Sequence, residues 1–208
     1  MRNRERYKFY AFKLAGICIA IFVLQVLFEG FSELFVLNQS AWIQVWRFVS
    51  AVFLHGGIGH LVYNMFALLL FGGILEKVIG GKKFLIVFFV SGIAANLISV
   101  NFYSSSLGAS GAIFGIIGAL VILKPGMTVW AFHLPMPMFL AGVIWAIGDI
   151  MGIFMPSNVA NIAHLAGMAA GMVFGIMFRG KDREIGRKPG EIVINERSMR
   201  MWEDVHMR

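Results

Sequence analysis

Six apolar stretches, separated by polar breaks, constrain this chain more than any other feature of its sequence. They run Phe9–Phe28, Ile58–Ile79, Phe84–Val100, Gly108–Leu123, Met138–Phe154 and Val159–Phe178. The hydrocarbon core of a bilayer is about 30 Å thick, so a helix that crosses it needs about 17–25 mostly apolar residues. Each stretch reaches or nears that length. Composition agrees, with 59% hydrophobic and only 14% charged residues, where soluble domains carry about 25% charge. A globule of 208 residues has too much surface for its volume to hide so much apolar area from water. A soluble enzyme and a disordered chain are therefore excluded. So is a disulfide-built domain, because the single cysteine, Cys18, sits inside an apolar run. The expected class is all-α: a polytopic membrane protein of six transmembrane helices.

The first stretch follows basic residues, as a signal peptide does, but no small-x-small cleavage site comes after it, so it is expected to be retained. Basic residues also orient the bundle. Arg2, Arg4, Arg6, Lys8 and Lys13 lie at the first helix. Lys77, Lys82 and Lys83 lie between the second and third, Lys124 after the fourth, and eight more beyond Phe178. With six spans, 17 of the 18 Lys and Arg fall on one side, leaving only Arg47 opposite. The positive-inside rule makes that side cytoplasmic. The expectation is a multi-pass protein of the cell membrane: a cytoplasmic arm (1–8), a six-helix domain (9–178) with an outer loop (29–57), and a cytoplasmic tail (179–208). The net charge of +7 then reads as topology and attraction to anionic lipid, so no nucleic-acid partner is expected. The connection 124–137, with Pro125, Pro135 and Pro137, does not read as one continuous helix.

Polar groups inside a membrane are expensive, and each is a functional candidate by default. His60 and Asn64 are four apart at the start of the second stretch, hence on one helix face. Ser110 opens the fourth, within Gly108-Ala109-Ser110-Gly111. His164 lies near the start of the sixth, within Ala163-His164-Leu165-Ala166-Gly167. In the inferred topology all of these lie in the outer part of the bilayer. The fourth stretch spans only about 24 Å at about 1.5 Å per residue, so Ser110 is expected in a recess open to outside water. Gly111, Gly115 and Ala119 make one small-residue stripe, and Gly167, Gly171 and Gly175 make another. Such stripes permit close helix approach, and if these two meet, Ser110 and His164 come together. Asp149, near the end of the fifth stretch, reads as a helix-end or loop contact.

Acyl transfer is the chemistry this group can perform. A serine hydroxyl is a poor nucleophile until a base takes its proton, and histidine suits that task. The resulting oxyanion needs donors: the unpaired amide of Ser110 at a helix N-terminus, and the side chains of His60 and Asn64. No acidic residue reads as placed to orient His164, so a Ser–His dyad is expected. No metal and no cofactor is required.

In order and spacing, Trp46-Arg47, His55, His60-x-x-x-Asn64, Glu76-Lys77 with Gly80, Gly108-x-Ser110-Gly111 and Ala163-His164-x-x-Gly167-x-x-x-Gly171 resemble the rhomboid intramembrane serine proteases. The resemblance covers about residues 42–178. It implies Ser110 as nucleophile and His164 as general base, with His60 and Asn64 serving the oxyanion beside the Ser110 amide. It further implies His55 in a water-bearing recess, and Trp46, Arg47 and Glu76 shaping and anchoring the outer loop. The expected partners are the bilayer and transmembrane protein substrates. Four residues after the serine, where many members have tyrosine, this chain has Phe114, which keeps a face to stack on the imidazole and lacks the hydroxyl.

Other membrane proteases fit less well. No His-Glu-x-x-His run is present, and an aspartyl protease needs two intramembrane aspartates sharing a proton where only Asp149 is available. Two further alternatives stand: a histidine-lined metal transporter using His55, His60 and His164, and a rhomboid-like binding protein without turnover.

Overall fold

The computed structural model describes residues 7–131, 133–155 and 159–183. The arm 1–6 and the tail beyond 183 lie outside these described residues. Helix α1 (Tyr10–Leu27) is followed by two short helices of the outer segment, α2 (Phe31–Phe35) and α3 (Arg47–Ser50). Next come α4 (Ile58–Ala67), a π-helical turn (Leu68–Gly72) and α5 (Gly73–Ile79), which run as one rod. Helices α6 (Gly81–Ser99), α7 (Ser110–Leu123), α8 (Met138–Ile153) and α9 (Asn161–Arg183) complete the bundle. Among the described residues, four helical segments are long and apolar enough to cross a membrane: Tyr10–Leu27, Ile58–Ile79, Gly81–Ser99 and Asn161–Arg179. Helices α7 and α8 are apolar but shorter.

The expectation of an all-α chain needs a small correction. Two antiparallel ribbons are present among the described residues. In the first, β1 (Leu37–Asn38) pairs with β2 (Ser105–Ser106) and staples the outer segment to the loop before α7. In the second, β3 (Thr128–Ala131) pairs with β4 (Leu134–Pro137) between α7 and α8. Pro135 and Pro137 explain the second, since proline removes a helical donor and is tolerated in edge strands.

Packing centres on α7. Its residues Ala112, Ile113, Ile116, Ala119 and Leu120 are all buried, whereas α1 leaves much of its surface, including Ile19, Val23 and Val26, exposed. Glycine decides which helix lies against α7. A Cβ built on Gly167 would lie 2.0 Å from the Gly111 carbonyl oxygen, and one on Gly171 would lie 1.8 Å from that of Gly115. One on Gly118 would meet the Met168 carbonyl oxygen at 2.2 Å. These are backbone-on-backbone contacts that no side chain could share, so the two stripes do meet. The register is thereby fixed to within a fraction of a turn.

Polar residues tie the remainder together. Buried Arg47 donates to the carbonyls of Glu33 and Val36 at 2.8 and 2.7 Å and to the Gln44 side chain, organising the outer segment as the resemblance implied. Trp46 Nε1 adds a long contact to the Leu34 carbonyl. Glu76 does something different from what was expected of it. Its carboxylate accepts from the amides of Lys8 at 3.1 Å and Ala11 at 3.2 Å, capping the N-terminus of α1 at the opposite end of the bundle. A carboxylate there satisfies orphan donors and complements the helix dipole.

Replacing Gly171 by valine forces α9 off the Gly115 carbonyl. Overpacking costs about 1–3 kcal/mol and occasionally more, and here the high end is expected because backbone cannot rotate out of the way. Gly16 on α1 has nothing within 4 Å of an added Cβ. Thermal unfolding in detergent should therefore show Gly171→Val strongly destabilised and Gly16→Ala at or slightly above the parent. Equal stability of Gly171→Val and the parent would contradict this packing.

Candidate active site

Ser110 is the first residue of α7, after a tight backbone turn. Gly108 sits at φ 123°, a left-handed conformation suited to glycine, and its amide donates to the Ala51 carbonyl at 2.9 Å. A Cβ on Gly108 would also strike the His60 ring at 2.7 Å. The turn thus lays the start of α7 directly against His60. Amides in the first turn of a helix have no intrahelical acceptor, so the Ser110 end of α7 presents donors.

His164 stands on the first turn of α9, facing the same cleft as Ser110. Its ring stacks on Phe114, with centroids 4.3 Å apart and planes 7° from parallel. Phe114 lies one turn beyond Ser110, so the helix that carries the serine also orients the histidine. Among the described residues no hydrogen bond joins Ser110 and His164. Catalytic contacts are commonly loose in unliganded sites and tighten with substrate.

The expectation that no acid attends His164 is overturned. Asp149, near the C-terminal end of α8, places Oδ1 3.0 Å from His164 Nδ1. Asp149 is only 7% exposed, so it is not a loop contact. The two residues are 15 apart in sequence on different helices. Helical periodicity within one span does not reveal such a pairing; the only signal was an unexplained carboxylate in an apolar stretch.

The opposite wall carries the expected donors. Asn64 is buried, lines the cleft, and gives one amide hydrogen to the His60 carbonyl at 2.9 Å, leaving the second available. The Gly56 amide lies 3.4 Å from His60 Nδ1, an arrangement that leaves Nε2 as the protonated nitrogen of a neutral ring. His55 is not a lining residue. It is buried behind His60, with ring centroids 5.2 Å apart, and burial together with the neighbouring His60 pushes its imidazole down to about 4. It is therefore neutral at physiological pH. Gln25, on α1, was not singled out from sequence. Its side chain accepts from the His55 amide at 2.9 Å and donates to the His55 carbonyl at 3.2 Å, fixing the loop that supports His60.

The cleft measures about 1490 Å³. It runs from Tyr103 and Ser105 at one end, past Ser110, to Trp130 and His133 of the β3–β4 ribbon at the other. Phe66, Leu70 and Phe71 form one side and Trp145 of α8 the other. Phe71 and Trp145 meet edge to face at 5.7 Å. No three His, Cys, Asp or Glu residues among those described come together as metal ligands.

Comparison with known proteins agrees with this architecture. A family model of the Rhomboid domain matches residues 43–181. RHOMBOID-like protein 1 of Arabidopsis thaliana is 32% identical over 137 residues, 65% of this chain and 35% of its own length. RHOMBOID-like protein 6, mitochondrial, of the same plant is 34% identical over 134 residues, 64% of this chain and 43% of its own. Rhomboid protease GlpG of Yersinia pseudotuberculosis is 28% identical over 165 residues, 76% of this chain and 58% of its own. The chain thus spans from about a third to somewhat over half the length of these relatives, which include both a named protease and rhomboid-like proteins. On the family match across two-thirds of its length, this mostly helical membrane protein belongs to the rhomboid family.

Proposed function

We propose that this chain is an intramembrane serine endopeptidase that cuts transmembrane segments of other proteins near the outer face. The observation that carries the reading is the convergence of Ser110, His164, His60 and Asn64 on one cleft of an otherwise apolar bundle. Membership of a family that includes rhomboid proteases supports it.

In this reading Ser110 Oγ attacks the scissile carbonyl carbon while His164 Nε2 takes the hydroxyl proton. The oxyanion is met by the Ser110 amide, His60 Nε2–H and the free amide hydrogen of Asn64. Donors fixed in advance in a site of low dielectric stabilise such an anion without reorganising. The proton on Nε2 passes to the leaving amide nitrogen as the C–N bond breaks. A water then gives its proton to Nε2 and attacks the acyl ester. Oγ leaves and recovers that proton, and a carboxylic acid is released.

The topology belongs to the same reading: six spans in the cell membrane, both termini cytoplasmic, with α7 crossing as a short span buried in the bundle and α8 as a short span on its flank. A cysteine placed at Lys82, in a Cys18→Ser background, should resist membrane-impermeant thiol reagents on intact cells, and one at Asn101 should react. The reverse pattern would invert the orientation.

A substrate helix hides its carbonyls in internal hydrogen bonds and must unwind before attack, which glycine or proline makes cheaper. The close walls at Gly108 and Gly111 favour a small side chain before the cut. Entry is lateral, between the α4 rod and α8. The latter makes fewer backbone-tight contacts than α9, its Gly142 meeting only side chains of Val121 and Met168. Removing the Phe71–Trp145 contact with Trp145→Ala, together with Phe139→Ala, should raise turnover of a membrane-anchored substrate in liposomes. A helix-breaking residue in the substrate should raise it too. Equal rates in all these cases would defeat lateral entry and leave the chemistry standing.

Ser110→Ala and His164→Ala should each abolish cleavage with the fold intact, and the double variant should be no worse, since nucleophile and base act as a unit. Asn64→Ala should retain part of the activity, losing about 10²–10³-fold as single oxyanion donors do. Full cleavage by Ser110→Ala would remove the assignment. Metal-dependent flux that survives Ser110→Ala would favour a histidine-lined transporter. Substrate capture without cleavage would favour a binding protein.

A further inference from the structure

We propose that Asp149 is a positioning residue for His164, so that the acid–base chain of this site has three members, Ser110, His164 and Asp149, carried on three different helices. The proposal rests on the protease reading above and adds to it a role for the one carboxylate the dyad leaves unexplained.

The cost of the residue is the first argument. Ionisable side chains within membrane helices are rare and pair with another group, so a buried aspartate in an apolar stretch calls for a partner. Among the described residues the hydrogen-bond partner of Asp149 is His164, through Oδ1. Its Oδ2 is buried without a partner. The carboxylate is therefore not shared with a backbone cap, a lysine or an arginine.

Geometry is the second. Two contacts define the imidazole: Phe114 against its face and Asp149 in hydrogen-bond reach of Nδ1. A carboxylate accepts, so Nδ1 carries the proton and Nε2 keeps its lone pair. The two nitrogens lie on different edges of the ring, and with Nδ1 engaged by α8 it is Nε2 that remains for the cleft shared with Ser110. When Nε2 takes the serine proton, the ring becomes a cation, and the adjacent carboxylate stabilises it. An acid in this place fixes the tautomer and stabilises the imidazolium without itself taking the proton.

Support from the surrounding helices is the third. One turn beyond Asp149, a Cβ on Gly152 would meet the Asn161 side chain at 2.7–2.8 Å. Tyr103 Oη accepts from the Ile162 amide at 3.2 Å, holding the start of α9. The outer ends of α8 and α9 are thus packed closely where the Asp149–His164 contact is made.

The test uses the full chain in detergent and in liposomes. Asp149→Asn keeps the shape and loses the acceptor charge. It should lower kcat for a transmembrane substrate by about 10² or more, given the loss of about 10⁴ for the corresponding change in a soluble triad. KM should change less than threefold, thermal stability should be nearly unaffected, and Asp149→Glu should recover part of kcat. An unchanged kcat in Asp149→Asn would overturn the proposal, as would a fall matched by the loss of folded protein. A second measurement needs no variant at Asp149: nitrogen NMR of the imidazoles in the parent chain, with His164 assigned by its disappearance in His164→Gln. Neutral His164 should carry its proton on Nδ1; protonation on Nε2 instead would overturn the proposal. Cleavage that persists in Ser110→Ala would defeat the protease reading itself, whereas a silent Ser110→Ala with a fully active Asp149→Asn would defeat this inference alone.

Discussion

Everything in this site depends on two helices touching backbone to backbone. Gly167 over the Gly111 carbonyl and Gly171 over that of Gly115 bring α9 closer to α7 than any side chain would allow. In a bilayer, lipid tails are as apolar as leucine, so helices associate through close van der Waals packing and polar contacts more than through the hydrophobic effect. That contact sets the depth and rotation of His164 relative to Ser110. It also lays the imidazole on Phe114, because the first turns of both helices are held in one register.

Around that pair the polar residues are arranged so that nearly every one is committed. Gln25 holds the backbone of His55, His55 backs His60, and Gly108 lets His60 approach the start of α7. Arg47 and Asn96 satisfy carbonyls of the outer segment, while Glu76 caps α1 far from the site. Unpaired donors in hydrocarbon cost several kcal/mol. A cleft that keeps Ser110 Oγ, His164 Nε2 and half of the Asn64 amide uncommitted is thus a costly feature. Helix α8 carries Asp149. Its C-terminal end is held to His164 while Trp145, a turn nearer the β3–β4 ribbon, meets Phe71 across the cleft.

Much of this was legible in the chain because membranes impose strong rules. Helix length follows from bilayer thickness, and the apolar stretch Ile58–Ile79 coincides with the observed rod. The glycine stripes gave the α7–α9 pairing because a spacing of four places residues on one helix face. Four things were not legible. Asp149 meets His164 through the rotation of α8 about its axis, which a single-helix pattern does not encode. His55 was expected in the recess by resemblance but is buried behind His60, and its distance of five residues from His60 does not tell lining from backing. The ribbons β1–β2 and β3–β4 are too short to show a two-residue alternation, although Pro135 and Pro137 correctly excluded a helix there. Glu76 was misassigned to the outer segment because the residues it caps, Lys8 and Ala11, are 65 or more positions away.

The claim at the centre of this account is that Ser110 is a nucleophile activated by His164. The most direct measurement is mass-spectrometric mapping of the adduct formed by a fluorophosphonate on the intact chain in detergent, with its rate followed in the parent and in His164→Ala. The account predicts a single phosphonylated residue, Ser110, and a rate that collapses when His164 is removed. An adduct on another hydroxyl, or labelling of Ser110 at an unchanged rate in His164→Ala, would contradict it.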